Sequence, residues 1–363
     1  MRFTKQFQFV CLASLFILGA WPSKSTARTL LDAPMYERHE QWMTQYGRVY
    51  KDDNERATRS SMFKENVAPI DAFNSQTGKS YKLGVNQFAD LTNEEFKASR
   101  NRFKDRMCSP QAGPFRYENV SAVPFTMDWK KEGAVTPVKD QGQCGCNGGL
   151  MDDAFKFIEQ NKGLTTEASY PYKGTDGTCN TNKAAKITGI EDVPANSEAA
   201  LMKAVAKQAV SVAIDAGGYD FQFYSSGIFT GSCDTQLDHG VTAAGYGVSD
   251  GSKYWLVKNS WDLTNEELKA SRNRFKQAIC ALHKQVLPDM KTFLQCQLQL
   301  IAERKELLPL SRARGAGVES THPSFWWAFP AVTAIEGIKK LTSGKLISLS
   351  EQEIIDGDTK AED

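Results

Sequence analysis

The sequence predicts an α+β protein, a helical N-terminal region followed by an enzyme-like body, and three observations carry that expectation. The 363 residues are enough, at roughly 150 per domain, for about two folded units and a sizeable core. From Tyr36 to about Asn74 apolar residues recur at helical spacing, and from Val123 onward the composition shifts toward Gly, Tyr and Val in short strand-length runs. Composition also excludes classes of function. With 44 Lys and Arg against 43 Asp and Glu, a net charge of +1 offers no field for gripping nucleic acid. No apolar stretch reaches the 18 or so residues of a membrane span.

The chain starts with Arg2 and Lys5, an apolar run from Phe9 to Trp21, and the small residues Ser25, Thr26 and Ala27. That pattern reads as a signal peptide over residues 1–27, which implies the secretory pathway and a destination outside the cell or in the lysosome or vacuole. Seven of the eight cysteines follow Cys11, so disulfides are expected, with an odd count that leaves at least one thiol over. Asn119-Val120-Ser121 is a glycosylation sequon.

Along the chain, Trp42, Tyr46, Phe63, Val67, Ile70 and Phe73 fit two amphipathic helices. Glu55, Arg59, Phe63, Asn66, Ile70 and Asn74 fall on one stripe. Pro69 interrupts that stripe at a cost of about 3 kcal/mol, so a kink is expected there. Gly84 to Asp90 alternates like a short strand. Further on, Ser197 caps a helix over Ala199 to Lys207, and Val210 to Ile214 and Tyr254 to Val257 read as strands. Asp90 to Lys104 (DLTNEEFKASRNRFK) recurs at Asp262 to Lys276 (DLTNEELKASRNRFK) with 14 of 15 positions identical. One recurrence does not make a solenoid, so duplication explains it better. Residues 277–322 read as an unassigned helical insert, with patches at Ile279, Leu282 and Val286 and at Leu294, Leu298 and Ile301. Cys280, His283 and Cys296 there lack both a CxxC pair and a fourth ligand, so no metal or other cofactor is expected.

Hydrolysis by a thiol needs a thiolate, an imidazole to exchange protons with it, a group that orients the imidazole, and donors facing the developing oxyanion. His239 opens a strand-like run and Asn259 follows the next strand, so paired strands would bring them together. Gln141, in Thr136-Pro137-Val138-Lys139-Asp140-Gln141, offers a side-chain amide to an oxyanion. Singly, each of these residues has an ordinary structural reading.

Together they resemble the papain-like cysteine endopeptidases, in particular the plant cathepsin-L-like enzymes made as inhibited precursors. The stripe from Glu55 to Asn74 resembles that family's ERFNIN propeptide motif, and Gly84 to Asp90 its GxNxFxD motif. Pro124 to Tyr172 and the strands around His239 and Asn259 resemble the mature enzyme. The resemblance implies a helical left domain and a barrel-like right domain, incomplete here, behind an inhibitory prodomain at residues 36–104. It implies His239 as base, Asn259 as its orienter, Gln141 as oxyanion donor and Trp261 as cover of the His–Asn contact. Gly148 and Gly149 would line the substrate track. Leu150, Met151, Ala213 and Gly240 match a pocket for an apolar side chain, or else plain core.

The chain departs from the pattern at the nucleophile. Residues 123–261 hold a partial peptidase domain in which Cys144-Gly145 runs directly into Cys146-Asn147. The block that the family places there resembles residues 323–363, with Trp326 where the nucleophilic cysteine should stand. Pro330 falls early in that block's helix, where a backbone donor is expected. Cys146 is a weak surrogate, one residue out of step. The implied disulfide positions are Cys144, Cys146, Cys179 and Cys233, but Cys179 would face Gly357 and the partner of Cys233 is missing with the closing strands. Cys144 and Cys146 match positions that lie close enough in space for the join to close locally. Three readings stay open: an active secreted endopeptidase acting on peptides or proteins; an inactive relative whose residues 36–104 inhibit related cysteine proteases; and a rearranged product without function. A monomer is expected in each.

Overall fold

The computed structural model describes residues 35–100, 115–139, 151–173, 183–194, 197–233, 237–260, 268–271, 284–288 and 328–357. Two units are present, residues 1–48 and 49–363. In the first, helix α1 (Met35–Tyr46) stacks His39 on Trp42 at 5.9 Å, and Arg48 lies over the Trp42 ring at 5.7 Å.

The second unit begins with α2 (Asp53–Ser75), whose start is written in a reciprocal cap. Asp52 accepts from the Glu55 amide at 2.8 Å while Glu55 accepts from the Lys51 amide at 2.7 Å. The helix continues through Pro69 to Ser75. Its stripe holds the following loop. Arg59 donates to Glu95 at 2.7 Å and to the Asp90 carbonyl at 3.1 Å, Asn66 to the carbonyls of Ala89 and Leu91, and Asn74 to that of Leu83, while Phe63 and Ile70 are buried. The strand expected over Gly84 to Asp90 is corrected. Only β1 (Tyr81–Leu83) is extended, and Asn86 then turns the chain by accepting the Phe88 amide at 3.0 Å. A local side-chain acceptor outcompetes the strand ladder there. Helix α3 (Asn93–Arg100) completes this region.

The body contains β2 (Met127–Asp128), α4 (Met151–Gln160), β3 (Ile187–Asp192), α5 (Glu198–Val205), β4 (Val210–Ile214), α6 (Tyr219–Gln222), β5 (Tyr224–Phe229), β6 (His239–Ser249), β7 (Ser252–Lys258), β8 (Leu268–Ser271), β9 (Lys284–Pro288), α7 (Ala328–Ser343) and α8 (Gln352–Gly357). Ser197 caps α5 by accepting from Ala200, as its sequence position predicts. Among the described residues the strands form one nine-stranded sheet in the order β1, β5, β8, β7, β6, β4, β9, β3, with β2 paired to β6. Gly245 permits the β2 contact, because a Cβ there would lie 2.2 Å from the Met127 carbonyl oxygen.

Two corrections concern the C-terminal half. Within the expected helical insert, Lys284–Pro288 is a strand paired to β3 and β4. The three- and four-residue spacing through Val286 loses to an open sheet edge that needs a partner. The duplicated fragment also changes structure. Asn93–Arg100 is helix, whereas its second copy lends Leu268–Ser271 to the sheet, antiparallel to β7 and parallel to β5.

Helix α7 lies at the centre. Ala328, Ala331, Val332, Ala334 and Ile335 are buried against Met151, Phe155 and Ile158 of α4, Ala213 of β4, and Leu349 and Ile354. Pro330 falls in its first turn, where an amide has no intrahelical partner in any case, so the helix forms through it. The following segment docks by polar contacts. Glu353, fully buried, accepts from the Thr165 amide at 2.5 Å and from Asn161 at 2.8 Å and pairs with Lys183. The Glu167 amide donates to the Ser348 carbonyl at 2.9 Å.

Candidate active site

His239 is the first residue of β6 and Asn259 follows the last residue of β7. The two strands are antiparallel with Thr242 opposite Lys258, which sets the two side chains side by side. His239 Nε2 lies 2.8 Å from Asn259 Oδ1. The Ser260 amide donates to the same oxygen at 2.8 Å, so the Asn259 side chain cannot flip without setting two donors against each other. The imidazole therefore carries its proton on Nε2, which leaves Nδ1 as its unprotonated nitrogen. His239 is fully buried.

Helix α7 brings its first turn to this pair. A small open pocket of about 10 Å³ is lined by Gly240, Lys258, Asn259, Ser260, Phe329, Pro330 and Thr333 among others. Ala213 is in register with Gly240, next to His239, and both are buried. Met151 is 0% exposed and belongs with Ala213 to the central apolar cluster, so both pack as core. Cys233 is half-buried with its thiol 3.9 Å from the Gly231 carbonyl oxygen. Asn119 is exposed on a turn closed by the Val120 amide donating to the Tyr117 carbonyl at 3.1 Å. Gln141, Cys144, Cys146, Gly148, Gly149, Leu150, Cys179, Trp261, Cys280, His283, Cys296 and Trp326 lie outside the described residues.

Sequence reasoning missed a buried charge cluster behind the site. Lys139 donates to Glu351 at 2.7 Å, to the Leu349 carbonyl at 2.9 Å and to Glu167 at 3.3 Å. Burial works against the Lys139 charge, but Glu351, Glu336 and Glu167 outweigh it and hold the ammonium above its usual range. Burial pushes the Glu351 carboxyl up to about 8 despite Lys139, with Glu336 and Glu167 adding to the rise. Beside it Thr136 donates to the fully buried Glu336 at 2.5 Å. Six charged residues inside the apolar pattern of residues 336–353 were the available signal.

Asp238, next to His239, is pushed up to about 7, chiefly by burial, while the Ala216 amide, donating at 2.7 Å, opposes the rise. Lys97 of α3 also lowers it. Around that point the N-terminal region seats itself on the body. Strand β1 pairs antiparallel with β5, Asn86 donates to the Gln222 carbonyl at 2.6 Å, Asn93 to the Gly217 carbonyl at 3.1 Å, and Tyr219 to the Asn66 carbonyl at 3.0 Å.

An imidazole in contact with an asparagine thus stands at the strand ends of an α+β body on which a small helical region is seated. Comparison with known proteins gives the class. The profile described as papain family cysteine protease matches residues 145–286, and that of the cathepsin propeptide inhibitor domain (I29) matches residues 39–96. Senescence-specific cysteine protease SAG39 of Oryza sativa subsp. indica is 49% identical over 313 residues, covering 73% of this chain and 91% of the relative. Senescence-specific cysteine protease SAG12 of Arabidopsis thaliana is 47% identical over 307 residues, covering 70% and 88%. Among solved structures, recombinant stem bromelain precursor superposes with a TM-score of 0.61 at 37% identity, covering 71% of this chain and 100% of that one. The proform of the ragweed pollen allergen Amb a 11 gives 0.64 at 32%, covering 71% and 94%. The chain belongs to the papain family of cysteine proteases and carries that family's inhibitor propeptide. Peptides or proteins are the substrates this membership implies. No helix among the described residues is long and apolar enough to cross a membrane.

Proposed function

We propose that this chain keeps the acid–base half of a papain-family endopeptidase site and has lost the nucleophile. The observation that carries the reading is the 2.8 Å contact between His239 Nε2 and Asn259 Oδ1, which leaves Nδ1 as the proton-exchanging atom beside the start of α7. In a complete site, Nδ1 takes the thiol proton, the thiolate adds to the scissile carbonyl, and the imidazolium returns the proton to the leaving amine. Gln141 would donate to the oxyanion. The residue two positions before Ala328 is Trp326, whose indole has no nucleophilic atom for this step. Cys146 stands one residue out of step with the position that the family's nucleophile holds after Gln141.

In this reading residues 323–363 are a displaced piece of the left domain that supplies the central helix from the far end of the chain, and residues 123–261 are the rest of the peptidase body. Entry to the secretory pathway, residence outside the cell or in the vacuole, and a monomeric state go with it. The test is a thiol-directed active-site probe applied to the purified full chain. No labelling is expected, and labelling abolished by Cys146→Ala would overturn the loss of the nucleophile.

A second reading rests on the seat of β1 and α3 against β5 and α6. Residues 36–104 hold the parts of an inhibitor that lies on papain-like bodies, a binding role that needs no nucleophile. Nanomolar inhibition of a cathepsin-L-like protease by residues 36–104 supports it, and no inhibition at micromolar concentration sinks it.

A further inference from the structure

We propose that Lys258 is the positioning residue that registers Asn259, and through it His239, against the first turn of α7. The inference rests on the reading of His239 and Asn259 as the acid–base pair. Asn259 is held by hydrogen bonds at its oxygen alone. Its Oδ1 accepts from His239 and Ser260, but its buried Nδ2 makes no hydrogen bond among the described residues. An anchor on the body beyond these two contacts comes through the preceding residue.

Lys258 ends β7 and sends its ammonium across the site, donating to Thr333 Oγ1 of α7 at 3.1 Å and to Thr136 Oγ1 at 2.9 Å. Thr136 passes the connection on to Glu336 Oε2 at 2.5 Å, one turn along α7, and Glu336 Oε1 accepts the Leu349 amide at 2.9 Å. Close packing reinforces the joint, since a Cβ on Gly337 would lie 3.2 Å from the Ala134 carbonyl oxygen. Segments around 134–136, 258–260, 333–337 and 349 thus meet in one relay, although more than two hundred residues separate Thr136 from Leu349. Charge suits the task. An ammonium that ends on two hydroxyls, one of which donates to a buried carboxylate, gives a directional chain that a neutral side chain cannot reproduce. Nothing in this relay touches a substrate, so Lys258 acts through Asn259.

The test reads the imidazole itself in the full-length protein, with nitrogen-15-labelled histidine and NMR. In the unsubstituted chain His239 is expected as the Nε2–H tautomer with a downfield hydrogen-bonded proton. Asn259→Ala removes that signature. Lys258→Met is expected to lower the population of the hydrogen-bonded tautomer about tenfold, and Lys258→Arg to restore most of it. If Lys258→Met lowers the melting temperature yet leaves the His239 signature intact, Lys258 is only a structural residue and the proposal is overturned. Should Lys258→Met not fold, Thr333→Val removes one partner of the ammonium and decides the matter: a weakened signature supports the proposal and an unchanged one refutes it. A different tautomer in the unsubstituted chain, or no response to Asn259→Ala, instead overturns the acid–base reading on which the proposal stands.

Discussion

Ile335→Ala tests whether residues 328–357 really complete the core. The side chain is 1% exposed, within the cluster that joins α7 to α4 and β4. Truncation removes three carbon groups worth about 0.8 kcal/mol each in transfer free energy, or about 2.4 kcal/mol. A partly collapsed cavity adds on the order of 1 kcal/mol, and the better helix propensity of alanine returns about 0.5 kcal/mol. The net cost is about 3 kcal/mol, which for a body of this size lowers the melting temperature by roughly 6–12 °C. Leu341→Ala, at a position 44% exposed on the same helix, is the control and should move it by no more than about 2 °C. The assay is thermal unfolding followed by near-ultraviolet circular dichroism, which reports tertiary packing. Equal melting temperatures for the two variants would mean that α7 is not docked, and the site built on its first turn would fall with it.

Three further outcomes are expected. Gly227→Ala, at φ +89° and with its new Cβ 2.4 Å from the Ser80 carbonyl oxygen, should free β1 from β5 and raise hydrogen exchange at residues 81–83 while exchange in α7 stays as it was; unchanged exchange at 81–83 would contradict the pairing. Asp238, raised from 3.8 to about 7 mainly by burial, binds a proton in the folded state that the unfolded chain has released, so its contribution is full below about pH 3.8 and is lost as the pH rises through 7. Urea midpoints should fall across that window by on the order of 4 kcal/mol in free energy, and Asp238→Asn should flatten the slope. Lys139→Met takes the ammonium donor from the 2% exposed Glu351, whose carboxyl burial already pushes up to about 8, so the loss is of hydrogen bonds and should cost about 1–3 kcal/mol in urea unfolding, whereas Lys139→Met with Glu351→Met should recover much of it; an uncorrected double variant would show that the pair is not the source of the loss.

The parts legible in the sequence were those governed by neighbours along the chain. Ser197 capped its helix, Val210 to Ile214 formed a strand at its expected bounds, and His239 and Asn259 met because each sits at the end of a recognisable strand. The stripe from Glu55 to Asn74 was legible as a pattern, but its purpose, gripping the loop after β1, needed the loop's carbonyl oxygens in place. Local pattern misled at Gly84 to Asp90, where Asn86 supplies a turn acceptor, and at Lys284–Pro288, where a sheet edge overrode helical spacing. The duplicated fragment separates the two influences. Lys97-Ala98-Ser99 belongs to a helix whose Glu95 and Asn93 meet Arg59 and Gln222, and Lys269-Ala270-Ser271 is extended between β5 and β7. Residue order was identical and tertiary surroundings decided. The charge cluster around Lys139 and Glu351 showed in the sequence only as charges within an apolar pattern, since the partners come from stretches more than 150 residues apart.

Placing the central helix near the end of the chain also has a consequence in time. Residues 331–336 follow Asn259 by roughly seventy positions, which at about 5–20 residues per second is some 4–14 s of synthesis. Through that interval the faces of α4 and β4 that bear Phe155, Ile158 and Ala213 have been made, while the helix that covers them has not. A nascent chain of this order presents apolar surface to the cell for seconds before its core can close, and its yield should depend on elongation rate and on chaperones that bind such surface.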